Sequence, residues 1–369
     1  MELLIVTDRQ TGGVPVTTID LARGLAELGD HVTLLADPVD GRDLLPSAIL
    51  AGVEHVPWAG QTSAKGMSQL LQLVASRPWD AVLSSHRGCD IAVHSACTLL
   101  RRRHVIAIHG DPAYEAVGTR FARLRTGLWR QAVDRSAALI TISQFIAERS
   151  HAFFSKLPPV YVVANANARH PPAATPVTLI PGHRPCLIAC GRIYDAKQPE
   201  LLRPLVQALD SLGVVCDARW IGGDGENGQR QASLQADAHA HGLGDRIHFI
   251  GHREDPWDAL RAGHAFVHFC TFEGFGLAVI EALAAGLPVA AFAAGALPEL
   301  IHDGRNGVLA QWQADDADAS IKNLAARLAP VLQDPVCHAA VAHAALDHSH
   351  SFTRAAMAAG YRRALLETA

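Results

Sequence analysis

Short apolar runs alternate with helix-like stretches along the first half of the chain. The run LLIVTD leads through a glycine turn at Gly12-Gly13 into VTTIDLARGLAELG, and HVTLLAD then returns to a strand pattern. The middle stretch has apolar residues at helical spacing, namely Ile19, Ala22, Leu25, Ala26 and Leu28. A strand, a helix and a second strand in this order predict a βαβ unit, and therefore a parallel sheet.

The same alternation continues to the end of the chain, with one interruption. Further strand patterns in the first half are DAVLSSH, HVIAIHG, ALITIS and PVYVVAN, and those in the second half are CLIACG, DARWIGG, IHFIG, HAFVHF and LPVAAF. The proline-rich stretch from 168 to 185 lacks periodicity and suits an interdomain linker. In the second half, helices are expected at about 198–212, 228–241, 256–263 and 277–285.

We therefore predict an α/β protein with two doubly wound domains, residues 1–168 and 169–351. The ending HSFTRAAMAAGYRRALLE predicts one more helix at 352–369, with Phe352, Ala355, Ala356, Ala359 and Tyr361 on its apolar side. The first domain is one place where this helix could pack, although the pattern alone does not name its partner.

Composition narrows the class of protein. The chain has 369 residues, 49% of them hydrophobic, and a formal net charge of -4, which fits a globular protein and argues against a nucleic-acid partner. The seven cysteines form no Cys-x-x-Cys pair, so reduced thiols and no metal are expected. Neither a secretion signal nor an apolar run of about 20 residues is apparent, so we expect a cytoplasmic protein.

Candidate chemistry stands in loops that follow strands, where ligands bind in open α/β sheets. After CLIAC, the loop GRIYDAK carries Arg192 and Lys197, whose positive charges could neutralise a diphosphate without a metal. The ordinary alternative is a pair of solvated surface residues.

A second loop, CTFEGFG, leads into a helix that begins near Leu277. The free N–H groups at such a helix start favour an anion, and Gly274 and Gly276 allow a close approach of the backbone. Glu273 precedes the helix and Glu281 lies just over one turn inside it, so both carboxylates could reach the same crevice and accept hydrogen bonds from sugar hydroxyls. The alternative is a capped helix with Glu281 on its solvent face.

The block from 272 to 309, FEGFGLAVIEALAAGLPVAAFAAGALPELIHDGRNGVL, resembles the signature of the retaining glycosyltransferases of family 4 (glycosyl transferases group 1). Other stretches agree in order: TGGV, IHGD, ITIS, VVANAN, GRIYDAK, IGGDGENG and IHFIGHRED. The resemblance covers nearly the whole chain. It implies the GT-B fold, in which two Rossmann-like domains face a central cleft.

The resemblance also implies roles for single residues. Arg192 and Lys197 would bind the diphosphate of a nucleotide-sugar donor, helped by N–H groups near Gly13 and Leu277. Glu281 would accept hydrogen bonds from the ribose, and Glu273 would lie beside the transferred sugar. The remaining implied contacts are N–H groups of Gly274, Phe275 and Gly276 to the sugar, His109 near its anomeric carbon, Asp111 on the acceptor side, and the loop Gly251–His252–Arg253 around the base.

Several of these positions have a second interpretation or depart from the pattern. His109 is one of 20 histidines, most of which must be ordinary surface or core residues. Cys270-Thr271 stands where a Pro-Ser type pair is common, and Asn165-Ala166-Asn167 replaces the usual Asn-Gly. Near Pro298-Glu299, only Gly295 remains of a common glycine pair.

The function implied is transfer of a hexose, with retention, from a UDP- or GDP-sugar to a hydroxyl of a glycan or lipid-linked glycan in cell-envelope or exopolysaccharide synthesis. Front-face attack is the mechanism ascribed to the family, and neither a cofactor nor a metal is expected. Two alternatives stay open: a nucleotide-sugar epimerase of the same two-domain fold, and a non-catalytic nucleotide-sugar-binding protein. The sequence does not choose between UDP and GDP, or name the sugar, the acceptor or the oligomeric state.

The helix pattern TRFARLRTGLWRQAV gives a hypothesis about location. It places Phe121, Leu124, Leu128 and Trp129 close together, with Arg120, Arg123, Arg125 and Arg130 around them. Such a helix could rest on anionic lipid headgroups at the inner face of the cytoplasmic membrane. The alternative is a helix whose apolar stripe packs into its own domain.

Overall fold

The computed structural model describes residues 1–7, 13–36, 52–115, 121–167, 169–180, 182–225 and 228–368. The chain divides into two compact units, Met1–Ala168 with Phe352–Ala369, and Arg169–Ser351. Gly12 and Arg120, which the sequence analysis names by number, lie outside the described residues, as do Glu226 and Asn227 of the stretch IGGDGENG.

The first unit is built on a seven-stranded parallel sheet. Its strands are β1 (Glu2–Thr7), β2 (His31–Ala36), β3 (Val53–Pro57), β4 (Ala81–Ser84), β5 (His104–Ile108), β6 (Ala138–Thr141) and β7 (Val160–Val162). Their order is β3-β2-β1-β4-β5-β6-β7. The helices are α1 (Gly13–Glu27), α2 (Ala64–Ser76), α3 (Arg87–Leu100), α4 (Pro112–Glu115), α5 (Ala122–Asp134) and α6 (Gln144–Phe153).

Successive residues of β1 enter different cores, as the pleat requires. Leu3 and Ile5 belong to an apolar cluster that includes residues of α1. Leu4 and Val6 belong to a second cluster with residues of α2 and α3. The four residues between Glu2 and Thr7 are therefore all apolar, because helices cover both faces of the sheet.

The second unit has a six-stranded parallel sheet in the order β10-β9-β8-β11-β12-β13. Its strands are β8 (Cys186–Cys190), β9 (Asp217–Ile221), β10 (Ile247–Phe249), β11 (Ala265–His268), β12 (Val289–Phe292) and β13 (Gly307–Ala310). Two short 3₁₀ turns, Asp195–Lys197 and Pro199–Leu201, follow β8. The helices are α7 (Leu202–Ser211), α8 (Gln229–Ala240), α9 (Trp257–Arg261), α10 (Leu277–Ala284), α11 (Leu297–Leu300), α12 (Ala317–Gln333) and α13 (Pro335–Ser349).

The predicted α/β class with doubly wound parallel sheets is confirmed. Two strands were not predicted. β3 lies at the edge of its sheet, is only partly buried and ends in proline, so it lacks the apolar run of an inner strand. β13 begins with glycine and has only three apolar residues after it, so its pattern was too short to distinguish a strand from the preceding loop.

The last helix, α14 (Arg354–Glu367), packs against α1 of the first unit. The expected apolar face was wrong in part, because Ala355, Ala356 and Ala359 are exposed. The buried face consists of Met357, Ala358, Tyr361, Ala364 and Leu365. Alanine is tolerated on either face of a helix, so the larger apolar side chains determine which face turns inward.

The proline-rich stretch that was predicted to be an interdomain linker begins at the boundary between the two units and is hydrogen-bonded to the second unit. The Ala173 N–H donates to the Ala284 carbonyl at 2.8 Å, and the Arg261 guanidinium donates to the Thr175 carbonyl at 2.7 Å. Hydrogen bonds to α9 and α10 of the second unit thus replace the secondary structure that proline prevents.

No helix in the described ranges has both the length and the apolar character needed to cross a bilayer.

Candidate functional site

Two loops of the second unit leave neighbouring parallel strands at the same edge of the sheet. The loop 191–197 follows β8, the loop 269–276 follows β11, and these two strands pair directly. Parallel order places both strand ends on one side, so the side chains predicted from separate loops can meet there.

The centre of the candidate site is an ion pair between these loops. The Lys197 ammonium donates to Glu273 Oε2 at 2.8 Å, and the two side chains are only 20% and 18% exposed. The structure therefore brings together two of the predicted site residues, 76 positions apart in the sequence. A charge pair with this little solvent is screened less than a surface pair.

A third residue of the cluster was missed by the sequence analysis. His268, the last residue of β11, lies 3.0 Å through Nε2 from the same Glu273 Oε2 and is 3% exposed. The available signal was a polar residue in the apolar strand HAFVHF, but a lone histidine in a strand is more often structural.

Glu273 favours the charged forms of Lys197 and His268, and each of these two favours the charged form of Glu273. Burial alone would raise the pKa of Glu273, but the His268 hydrogen bond and the Lys197 charge outweigh burial and lower that pKa. Burial opposes the charge of Lys197, yet the Glu273 carboxylate raises the Lys197 pKa. The pKa of His268 is raised as well, because Cys270 and Glu273 together outweigh burial and the Lys197 charge.

The second carboxylate, Glu281, has the opposite electrostatics. Burial raises its pKa, although the charges of Arg169 and His170 act in the other direction. His170 is stacked on Trp257 at 4.6 Å between ring centroids and lies 2.9 Å from an oxygen of Asp255. The alternative placed Glu281 on the solvent face of the helix, and its side chain is partly exposed in the structure.

The turn between Glu273 and α10 depends on glycine. Gly276 is the residue before the helix and has φ 108°, a left-handed conformation that favours glycine. A Cβ on Gly295 would lie 2.1 Å from the Glu273 carbonyl oxygen, and the neighbouring Ala296 N–H donates to that oxygen at 2.8 Å. The retained glycine near Pro298 thus lets the backbone of Glu273 be held closely.

The other predicted donor residues occupy different surroundings. Arg192 is exposed, with its guanidinium 5.2 Å from the centre of the Tyr194 ring, and Arg253 is exposed in the loop between β10 and α9. Gly274 and Leu277 are partly buried and Phe275 is buried. Their contacts with a donor stay predictions.

In the first unit, Gly13 is the first residue of α1, and His109 and Asp111 follow β5. His109 lines a small cavity together with Thr17, Thr18 and Asn165, among others. The Asp111 carboxylate already has protein partners: the Ala113 N–H at 2.8 Å and the Arg149 guanidinium at 2.7 Å. The sequence analysis missed Arg149. Its positive charge lies beside the Asp111 carboxylate, so any role of Asp111 involves this ion pair.

One donor set in the described residues could hold a metal ion. Ligand atoms of His268, Cys270 and Glu273 all lie within 4.8 Å of one another, and imidazole, thiolate and carboxylate are zinc ligands. The Lys197 ammonium, however, is bonded to the same carboxylate, so an incoming cation would meet a positive charge already beside it. The expectation of metal-free chemistry stays a prediction.

Comparison with known proteins agrees with this architecture. A family model described as Glycosyltransferase Family 4 matches residues 11–166, and one described as Glycosyl transferases group 1 matches residues 173–345. A D-inositol 3-phosphate glycosyltransferase of Streptomyces scabiei is 28% identical over 385 residues, covering 95% of this chain and 79% of that protein.

Solved structures show the same fold. Anabaena Alr3699/HepE in complex with UDP and glucose has a TM-score of 0.80 at 18% identity, with 100% of both chains covered. Sucrose-phosphate synthase from Thermosynechococcus elongatus has a TM-score of 0.75 at 18% identity, again with 100% of both chains covered.

Two parallel-sheet α/β units and these structural neighbours show that the chain has the GT-B fold. The two matched family models follow one another along the chain and leave only short segments unmatched. The chain therefore belongs to the glycosyltransferases of family 4, as its resemblance to that family implied.

Proposed function

We propose that this glycosyltransferase moves a hexose from a UDP- or GDP-sugar to a hydroxyl of a glycan or lipid-linked glycan, with retention and without a metal. The observation that supports this most is the Lys197–Glu273 pair, which combines a cation for phosphate and an acceptor for sugar hydroxyls at one strand edge. The relatives' name adds an inositol phosphate to the acceptors to be tested.

In the proposed reaction, the acceptor oxygen bonds to the anomeric carbon on the face from which the diphosphate leaves. The bond from that carbon to the phosphate oxygen breaks, and the acceptor's proton passes to the leaving phosphate. Negative charge grows on the diphosphate during this step, so Lys197, Arg192 and the first N–H groups of α10 would lower the barrier if they bind those oxygens.

A donor screen tests the proposal. Because a ligand bound only by the folded state raises the melting temperature, one UDP- or GDP-sugar should stabilise the protein and then lose its sugar slowly in water. A glycan or inositol phosphate acceptor should speed up that loss, and the new linkage should keep the anomeric configuration of the donor.

Other results of the screen would contradict the proposal. An isomerised nucleotide sugar would indicate the epimerase, whereas stabilisation with an unchanged donor would indicate a binding protein. An inverted product would remove the retaining mechanism. Loss of activity with a chelator, restored by manganese, would remove the metal-free part of the proposal.

We also propose that the first unit touches anionic lipid through α5. Phe121 is 65%, Leu124 64% and Leu128 43% exposed, so the alternative in which the apolar stripe packs inward holds for Trp129 but not for these three. Arg123 and Arg130 are exposed on the same helix. Apolar side chains beside arginines suit the interface of an anionic bilayer.

A further inference from the structure

A buried imidazole stands directly behind the candidate sugar-binding carboxylate. His268 is 3% exposed at the end of an inner strand, where an ionisable side chain is unfavourable without a partner. Other buried histidines in the described residues have structural partners, as when His338 Nε2 lies 2.7 Å from the His264 carbonyl. His268 instead lies between Cys270 and Glu273, and Glu273 is a side chain of the candidate site.

Both hydrogen bonds to Glu273 end on the same oxygen. Lys197 Nζ is 2.8 Å and His268 Nε2 is 3.0 Å from Oε2, which leaves Oε1 as the oxygen that a ligand hydroxyl can use. A carboxylate held at one oxygen by two donors from different elements has little freedom to rotate. The orientation of Oε1 is thereby set before a ligand arrives.

We propose that His268 is a positioning residue, which fixes Glu273 so that its second oxygen receives a hydroxyl of the donor sugar. This inference rests on the proposed function. Lys197 cannot perform the task alone, because the diphosphate of the donor competes for its ammonium. His268 is buried on the protein side of Glu273 and keeps its contact when Lys197 turns to phosphate.

Two amide variants separate this role from simple packing. The side chain of Gln is long enough for its N–H₂ group to take the place of His268 Nε2, whereas that of Asn is too short. Both are neutral and polar, so His268→Asn and His268→Gln form a matched pair.

The measurements are binding of the free nucleoside diphosphate, binding of the donor sugar nucleotide, and kcat of transfer. His268→Asn should bind the free diphosphate as the wild type does, but lose about tenfold or more in the added affinity due to the sugar and in kcat. His268→Gln should recover most of both. In a Glu273→Gln background, His268→Asn should cause no further loss, because residues that act as a unit are not additive.

Three results would overturn the inference while leaving the proposed function intact. They are equal losses in the two amide variants, unchanged sugar-dependent binding in His268→Asn, and losses that multiply when His268→Asn is combined with Glu273→Gln. If the wild type itself binds no sugar nucleotide, the proposed function fails, and the inference fails with it.

Discussion

At the scale of single residues, the two glutamates of the candidate site differ in what surrounds them. Glu273 has two hydrogen-bond donors within 3.0 Å, Lys197 and His268, which lower its pKa, whereas burial of Glu281 raises the pKa of that carboxyl. Both kinds of carboxylate suit a site that binds an activated sugar. A fixed anion can orient sugar hydroxyls, and a carboxylate that lacks strong protein partners gains most from ribose hydroxyls.

A buried network in the first unit gives a prediction about pH. Ser84 Oγ donates to Asp90 at 2.5 Å and lies 2.9 Å from His104 Nε2, and Trp129 Nε1 donates to Asp90 at 2.8 Å. Since the one hydroxyl proton goes to Asp90, His104 must be the donor to Ser84. This order of donors and the complete burial of Ser84 make the cluster a structural one, unlike a hydrolytic triad.

Burial lowers the pKa of His104 to about 3, so the imidazole stays neutral in the folded protein. In the unfolded chain, the His104 imidazole takes up a proton below its ordinary pKa of 6.5. The contribution of the neutral imidazole to the stability of the folded protein is therefore complete above pH 6.5. Below that pH it is lost at up to about 1.4 kcal/mol per pH unit.

His104→Gln, which keeps a donor for Ser84 but does not titrate, should therefore reduce the loss of stability between pH 7 and 5 by about 2 kcal/mol. Urea unfolding of both proteins at the two pH values measures it. Equal losses in the two proteins would refute the assignment of a neutral buried His104.

The sequence was sufficient to select candidate side chains that follow parallel strands. Lys197 and Glu273 could be paired in advance because ligands bind at strand ends. Arg149 and His268 could not be selected, because their roles depend on which side chain each one contacts across the fold. A helix arginine and a strand histidine have no local pattern that distinguishes them from structural residues.

At the scale of elements, the contact between α1 and α14 depends on a glycine. A Cβ on Gly24 would lie 2.8 Å from Ala358 Cβ and 2.9 Å from Arg354 Cγ, closer than such atoms pack. The helices can approach this closely only because residue 24 has no side chain. Gly127 in α5 offers a matched control, because nothing described lies within 4 Å of its would-be Cβ.

Gly24→Ala should destabilise the protein by about 1–3 kcal/mol through overpacking. Gly127→Ala should stabilise it by about 1 kcal/mol, since alanine favours a helix. Thermal unfolding of both variants decides the matter. A gain in melting temperature for Gly24→Ala would show that α14 does not pack on α1 as described.

Helices and strands were predicted correctly where the pattern of apolar residues was strong, and they were missed or misassigned where that pattern was weak. Inner strands such as β1 and β8 contain continuous apolar runs, so they were recognised, whereas the edge strand β3 was not. The alanine-rich sequence of α14 predicted a helix correctly but did not determine its buried face.

At the scale of the whole molecule, the exposed apolar side chains at α5 predict that the protein binds to anionic membranes. The wild type should float with phosphatidylglycerol vesicles at low salt and much less with neutral ones. Phe121→Ser with Leu124→Ser should weaken vesicle binding by about tenfold or more, since each buried apolar side chain contributes about 1.5–3 kcal/mol.

Val336→Ser is the control for that experiment, because Val336 is 78% exposed on α13 of the other unit. It should float as the wild type does. Absence of flotation, or an equal effect of the control, would remove the membrane proposal and leave the glycosyltransferase assignment unchanged.

The central claim is that Lys197 and Glu273 bind opposite ends of one activated sugar. A crystal structure with the nucleoside-diphosphate sugar found in the screen tests it most directly. We expect phosphate oxygens within hydrogen-bond distance of Lys197 and Arg192, a sugar hydroxyl on Glu273, and the ribose on Glu281. A donor whose diphosphate lies away from Lys197, with Glu273 bound to no part of it, would contradict the account.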